Sequence, residues 1–554
     1  MSGPRTPSMI LLALLAGFVA FTRTANTRIA QAGRAYDVLR YDLALTLRPD
    51  QRGISGTNRI TFVTTSASSQ VRFDASSRTI TVDSVTGPGG RIPFVHSGNE
   101  LRLTFPETLP ASDIRTVVIH YAAVSAFDGR YDSGGIYFNS DSGRLRVGTI
   151  SEPNFAREWW PCNDRPSDKA LVSLACTVPH GMTAVSNGRP RPVREEGQWS
   201  TYGWETLHPI ATYLVFLGAA DYTLAVDTML TGDGRVLDLP RYIFPEDSAN
   251  AAEDFRNIKT ILRYFSATFG PWPFTGEKCA IAEVEGRLTM ENQTVVAIEK
   301  EKITGDRQNE NTLVHEIAHQ WWGNLVTPSS WRHIWLAEAF ATFSEALYIE
   351  SRRGPETYAQ YMDVLMDQPD GYYSGPVVGT DSAGFWDSFS PAVYYKGALT
   401  LHMLRRMTGD DVFFAALREY LDGPERRYGN ASTSDFIAIC ERRHGSDLDW
   451  FFNQWLFTGR EEPDRPALVY DWTQSESPGG IGLRLTVRQE QAGGRTYRLP
   501  FNVRVFAGGA TETFPVIDSL RDQAFTRTLS ARVDSVVLDP ERNIFMSARR
   551  AGSE

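Results

Sequence analysis

Cysteine is scarce in this chain: the four in 554 residues, Cys162, Cys176, Cys279 and Cys440, show none of the short spacings of a metal knuckle or a disulfide scaffold. Buried thiols are the expectation, with one Cys162–Cys176 bridge in an oxidising compartment as the open alternative. No lysine- or arginine-rich block occurs, and the formal net charge is −10. Such a chain has no surface for tracking phosphates, so nucleic acid is not an expected partner. The amino-terminal apolar run, residues 9–21, holds only thirteen residues, fewer than the roughly twenty a spanning helix needs. Preceded by Arg5 and followed by the small-x-small triplet Ala30-Gln31-Ala32, it reads as an export signal over 1–32, an uncleaved anchor being the lesser alternative. Its removal takes away three arginines and no acids, moving the charge to −13. The expected location is periplasmic or extracellular, with no stable membrane span in the mature chain. Repeats and low-complexity tracts are also missing.

A hydrophobic fraction of 42% with 12% aromatics excludes a mainly disordered protein, and the length suits roughly three or four domains. Period two dominates from Tyr36 to about Tyr222. Tyr41, Leu43, Leu45 and Leu47 alternate there with Asp42, Ala44 and Thr46, the mark of half-buried strands. From about 249 the period turns helical, with helices expected at 251–269, where Gly270-Pro271 closes the pattern, and at 355–366, 395–407, 410–421 and 434–443. Beyond Gly459 a Pro- and charge-rich linker (460–466) leads back to alternation at Leu483, Leu485 and Val487, ending in a frayed tail at 548–554.

The most informative stretch is His315-Glu316-Ile317-Ala318-His319, followed after eighteen residues by Glu338. Residues four apart on a helix share a face, so the two imidazoles can chelate one Zn²⁺. Leu313, Ile317, Gln320 and Trp321 run along a helical pattern that Gly323 stops, and a second helical pattern at 336–350 carries Glu338 in its first turn. A His₂Glu set leaves one coordination position open, and Glu316, beside the pair, is placed to act as general base on a water. A satisfied helix surface is the bland reading, but with nine histidines in the chain a chance match is rare. His333 is rejected as a ligand because the set is complete without it. Trp321 and Trp322 are expected to pack in the core.

Three more stretches accompany the motif: Ser151-Glu152-Pro153, Met290-Glu291-Asn292-Gln293, and Val393-Tyr394-Tyr395-Lys396-Gly397. Together with Pro161-Cys162-Asn163-Asp164-Arg165-Pro166 they resemble the aminopeptidase N-like family of zinc metallopeptidases, the gluzincins, over most of the chain. The resemblance implies a multidomain α+β fold: an amino-terminal β domain (33–222), a thermolysin-like, mainly helical zinc peptidase domain (223–459) and a β-sandwich (460–554). It implies one Zn²⁺ held by His315, His319 and Glu338. Glu291 and Glu152 match the residues that hold the substrate's free α-amino group, and Tyr394 matches the tyrosine that steadies the tetrahedral intermediate. Peptides would then be the substrates, cleaved at the amino-terminal bond. The chemistry agrees, since paired carboxylates favour an ammonium that an internal peptide bond lacks.

The chain also departs from the family. Leu288 and Thr289 stand where two small residues usually precede Met290, Glu291 and Asn292, which is expected to reshape the first substrate pocket. Ala337 and Ala339 flank Glu338 where Asn and Gly are usual, so the surroundings of that ligand differ. Only about ninety residues follow Gly459, leaving no room within this sequence for the large helical carboxyl-terminal domain of many relatives. Two competing readings are a zinc endopeptidase of thermolysin-like fold, favoured if Leu288 and Thr289 spoil amine recognition, and a weakly catalytic peptide-binding scaffold. The scaffold requires neither Glu316 nor Tyr394.

Overall fold

The computed structural model describes residues 34–552 apart from 131, 142, 287, 381–387, 459–464 and 492–493. The export segment and most of the linker lie outside the described residues. Along the chain a β-rich amino-terminal part is followed by a helical middle and a carboxyl-terminal β region. Residues 34–331 with Leu421–Ser432 form one compact unit, and residues 332–380, 388–420 and 433–552 form another.

In the first unit Tyr36–Arg48 lies inside an eight-stranded sheet, antiparallel to Gly53–Thr64 and parallel to Leu171–Pro179. Its alternating residues Tyr41, Leu43, Leu45 and Leu47 are buried, as period two requires. The ring of Tyr41 meets Trp160 edge-on at 4.8 Å, and its hydroxyl accepts the Asn163 N–H at 2.9 Å. All four cysteines are buried and unbridged. A second, four-stranded sheet runs in the order Thr223–Leu230, Val236–Ile243, Ala280–Val284, Val295–Glu299. Its last two strands fall inside the stretch read as helical. They are parallel and almost wholly buried, and strands covered on both faces show no alternation to read.

The helix expected over 251–269 is two helices, α1 (Ser248–Asp254) and α2 (Ile258–Phe269). The last residue of α1, Asp254, is an anchor for another segment. Its buried carboxylate accepts the N–H groups of Thr304 (2.7 Å), Gly305 (2.8 Å) and Arg307 (2.7 Å). It thereby fixes the loop that leads into α3 (Glu310–Ala318), the helix of the histidine motif.

The second unit contains α4 (Trp335–Arg353) and α5 (Pro355–Met366), then a π-helical turn, Ala392–Lys396, running into α6 (Gly397–Thr408). The π turn replaces the start of the helix expected at 395–407. Later come Thr433–His444, near its expected bounds, and Asp449–Leu456, a two-turn helix not expected from the sequence, which buries Phe451, Phe452, Trp455 and Leu456. The last strands form a four-stranded sheet, ordered Asp522–Leu529, Gly480–Gln489, Ala467–Ser477, Ser547–Arg550, and a three-stranded one, ordered Ala510–Asp518, Leu499–Ala507, Val533–Leu538. Ser547–Arg550 corrects the reading of a frayed tail. It is an edge strand paired with Ala467–Ser477, held by the Ala551 N–H on the Tyr470 carbonyl (2.8 Å) and by an Arg549–Glu490 ion pair (3.0 Å). Every side chain in it is exposed, which leaves no apolar pattern. No helix among the described residues is long and apolar enough to cross a membrane.

Because Asp254 satisfies three backbone donors with one charge, Asp254→Ala is expected to destabilise the protein by roughly 3–5 kcal/mol. Urea unfolding followed by circular dichroism measures it. A change under about 1 kcal/mol would mean that water replaces the carboxylate without penalty.

Candidate metal centre

The α-helical hydrogen bonding of α3 stops at Ala318, and His319 is its cap, so the helix ends a turn earlier than Gly323 suggested. The N–H groups of Gln320 and Trp321 turn to carbonyls three residues back (3.1 and 3.0 Å), the tighter closure common at helix ends. Gly323 then takes φ +105°. The His319 N–H still reaches the His315 carbonyl at 3.2 Å, so the i, i+4 relation survives, and the two rings are 4.8 Å apart at 74°. His319 Nδ1 lies 2.9 Å from the Trp322 carbonyl. A carbonyl can only accept, so Nδ1 carries the proton and Nε2 presents the lone pair that a metal needs.

Glu338 stands in the first turn of α4. One ligand atom from each of His315, His319 and Glu338 lies within 4.8 Å of the others, and all three side chains are buried. Two imidazoles and a carboxylate at this spacing fit Zn²⁺. The same criterion groups Glu291 and Glu316 with His319, and Glu152 and Glu291 with Glu338. Carboxylates gathered this closely away from water call for cations among them.

The other residues expected at the site are placed less uniformly. Met290 is buried in an apolar cluster with Val185, Trp204 and Phe216, and Leu288 packs against that cluster, partly buried. The Thr289 hydroxyl accepts the Glu299 N–H at 3.4 Å, and the buried Asn292 accepts the Val295 N–H on its carbonyl at 3.0 Å. Tyr394 lies half-buried in the π turn, a local widening frequent at functional sites. Its neighbour Tyr395 stacks on Tyr372 with ring centres 5.9 Å apart, and burial raises its phenol pKa above the usual value. Lys396 Nζ donates to the carbonyls of Thr458 (3.1 Å) and Gly375 (3.3 Å). His333 hydrogen-bonds Thr433 at 2.9 Å, a structural role. Trp321 donates to the Gly270 carbonyl at 3.0 Å and packs on Phe265, Phe269 and Trp272, while Trp322 packs on Phe269.

Sequence reasoning missed two residues of this region. Gln320 Nε2 and Asn324 Nδ2 both donate to the Glu291 carbonyl, at 3.0 and 2.7 Å, and Gln320 Oε1 accepts the Thr294 N–H at 2.9 Å. The available signal was two amides among the mostly apolar residues that flank His319 in 317–326, since a polar residue there must find a buried partner.

Residues 254–455 match the Peptidase family M1 domain and residues 38–214 the Peptidase M1 N-terminal domain. The chain is 26% identical to aminopeptidase N of Streptomyces lividans across 74% of this chain and 48% of that protein. It is 27% identical to aminopeptidase N of Lactococcus lactis across 71% and 48%. It thus spans about half the length of the curated relatives it matches. Among solved structures, an M1 zinc metallopeptidase from Deinococcus radiodurans superposes with a TM-score of 0.68 at 25% identity, covering 77% of this chain and 94% of that one. Legionella pneumophila aminopeptidase A gives 0.80 over 96% of this chain and 61% of that one, at 18% identity, a likeness of fold. Two successive domains of one family, matched in order over most of the chain, decide the matter: the chain belongs to peptidase family M1, the aminopeptidase N-like gluzincins.

Proposed function

We propose that this protein is a zinc-dependent aminopeptidase that hydrolyses the amino-terminal bond of peptides. The observation that carries the reading is the pairing of Glu152 with Glu291, carboxylate oxygens within 4.8 Å of each other and of Glu338. Two carboxylates at the edge of a metal centre form a trap for an ammonium, which the peptide backbone supplies only at its free amino terminus. The similar Deinococcus radiodurans metallopeptidase has been solved with a Tyr-Ser-Ala substrate, in keeping with a peptide for this chain.

His315, His319 and Glu338 hold the metal on this reading. Zn²⁺ bound there would supply Lewis acidity toward a carbonyl oxygen and a water. Glu316 takes the proton from that water and returns it to the leaving amine. Glu291 and Glu152 hold the substrate's ammonium and so count residues from its amino end. The hydroxyl of Tyr394 donates to the oxyanion as it develops, an interaction stronger in the transition state than in the ground state. Asn292, Met290, Thr289 and Leu288 shape the first side-chain pocket around Glu291. We read 223–459 as the thermolysin-like domain and 460–554 as a β-sandwich after a 33–222 β domain. Arg5 and the apolar run behind it support export of the mature chain.

Deleting a ligand and deleting the base have different consequences. His319→Ala is expected to lose zinc, whereas Glu316→Gln keeps about one equivalent per chain and loses roughly 10²–10⁴ in turnover. Metal analysis beside a rate assay separates the two, and a zinc-free Glu316→Gln protein would undo the assignment.

Tyr394→Phe removes only a donor, so kcat should fall by roughly 10²–10³ with little change in KM. Tyr395→Phe should be mild because its ring is engaged with Tyr372. An equal loss at both positions moves the role away from Tyr394.

Glu291→Ala should cost roughly 2–5 kcal/mol in kcat/KM for substrates with a free amine. Any residual cleavage of amino-acetylated peptides should be unchanged. Wild-type cleavage of acetylated and free peptides at equal rates would put the endopeptidase in place of the aminopeptidase.

A further inference from the structure

A carboxylate recognises an ammonium only as well as its own backbone is aimed, and the Glu291 backbone is held in an unusual way. Both side-chain amides that reach its carbonyl, Gln320 Nε2 at 3.0 Å and Asn324 Nδ2 at 2.7 Å, come from the turn directly after His319. Neither is exposed to solvent at all, so each would be costly to bury without these bonds.

The clamp is closed on both sides. Gln320 Oε1 accepts the N–H of Thr294, a residue at φ +65° just past Glu291, which fixes the far end of the Met290–Thr294 loop. Asn324 is held by its own backbone. Its N–H donates to the His319 carbonyl at 3.0 Å, and its carbonyl accepts Lys169 Nζ at 2.7 Å, with the Leu325 carbonyl at 3.3 Å from the same nitrogen. Lys169 is half-buried there, and desolvation lowers its pKa to about 7. The loop that carries Glu291 and the turn that follows the histidine helix are thereby hydrogen-bonded to each other.

We infer that Gln320 and Asn324 are positioning residues for amine recognition: they set the distance and angle between the Glu291 carboxylate and the metal centre by holding the Glu291 carbonyl between them. This rests on the aminopeptidase reading and adds to it. It predicts that disturbing either amide degrades recognition of the substrate's amino group while leaving the metal in place.

Gln320→Glu and Asn324→Asp test it, because each keeps the shape but turns an oxygen toward the Glu291 carbonyl where a donor stood. Gln320→Met, which removes the donor without adding charge, serves if the acidic variants fold poorly. The probes are two zinc-binding hydroxamates, an amino-acid hydroxamate with a free amine and acetohydroxamate without one, measured with metal content and thermal midpoint on the zinc-loaded full chain.

The amino-acid hydroxamate is expected to bind roughly 10–100-fold more weakly to the variants, with acetohydroxamate affinity and zinc content unchanged and KM rising more than kcat falls. Weakening of both hydroxamates together, with loss of zinc, overturns the inference in favour of a purely structural role. A wild-type preference for the amine-bearing probe that the variants retain also overturns it. No such preference in the wild type removes the aminopeptidase reading itself, and this inference with it.

Discussion

Ionisable groups buried a few ångströms apart are tolerated only when each is matched by an opposite charge or a hydrogen bond, and much of the described site answers that constraint. His315 and His319 come within 4.8 Å of each other on one helix face, with carboxylates of Glu291, Glu316 and Glu338 in the same neighbourhood. A dication held among them would resolve most of the crowding. The remainder is resolved by fixed partners, such as the Trp322 carbonyl that sets the tautomer of His319. The end of α3 shows what this requires of the backbone. Had the α-helix continued to Gly323, the Trp322 carbonyl would not have been available to turn back toward His319.

The parts of the site that depend on spacing along one element were legible in the sequence. His315 and His319 needed only an i, i+4 relation, which held even though the second histidine sits at the cap. Strands with one solvated face, such as Tyr36–Arg48, announced themselves by alternation. What escaped reading depended on partners distant in sequence. The buried parallel strands Ala280–Val284 and Val295–Glu299 look like any apolar run. The anchoring of the 304–307 loop on the Asp254 carboxylate joins residues about fifty positions apart. The clamp on Glu291 joins residues 29 and 33 positions apart, and no periodicity encodes that.

The Pro161-to-Ala170 segment gains a physical account in the same way. Cys162 exchanges backbone hydrogen bonds with Asp74 (2.7 and 3.0 Å), and Asp164 pairs with Arg157 at 2.9 Å. Lys169 then extends from this hub to the turn after the metal helix. The Cys162 backbone, the buried Asp164 carboxylate and the half-buried Lys169 amine fasten one short stretch to Asp74, to Arg157 and to that turn. The distinctive sequence there reflects anchoring.

The small residues of the second unit bear on how this chain differs from its family. Gly397 follows the π turn that carries Tyr394, and a methyl group placed on it would fall 2.5 Å from the methyl of Ala339, the neighbour of Glu338. Positions 339 and 397 therefore share room for a single methyl group. The alanine where the family usually has glycine is accommodated because its opposite number has none, so the two positions behave as one joint variable. Neither can be understood as an independent choice of residue, and a chain carrying side chains at both would have to move the metal-ligand helix away from the tyrosine turn.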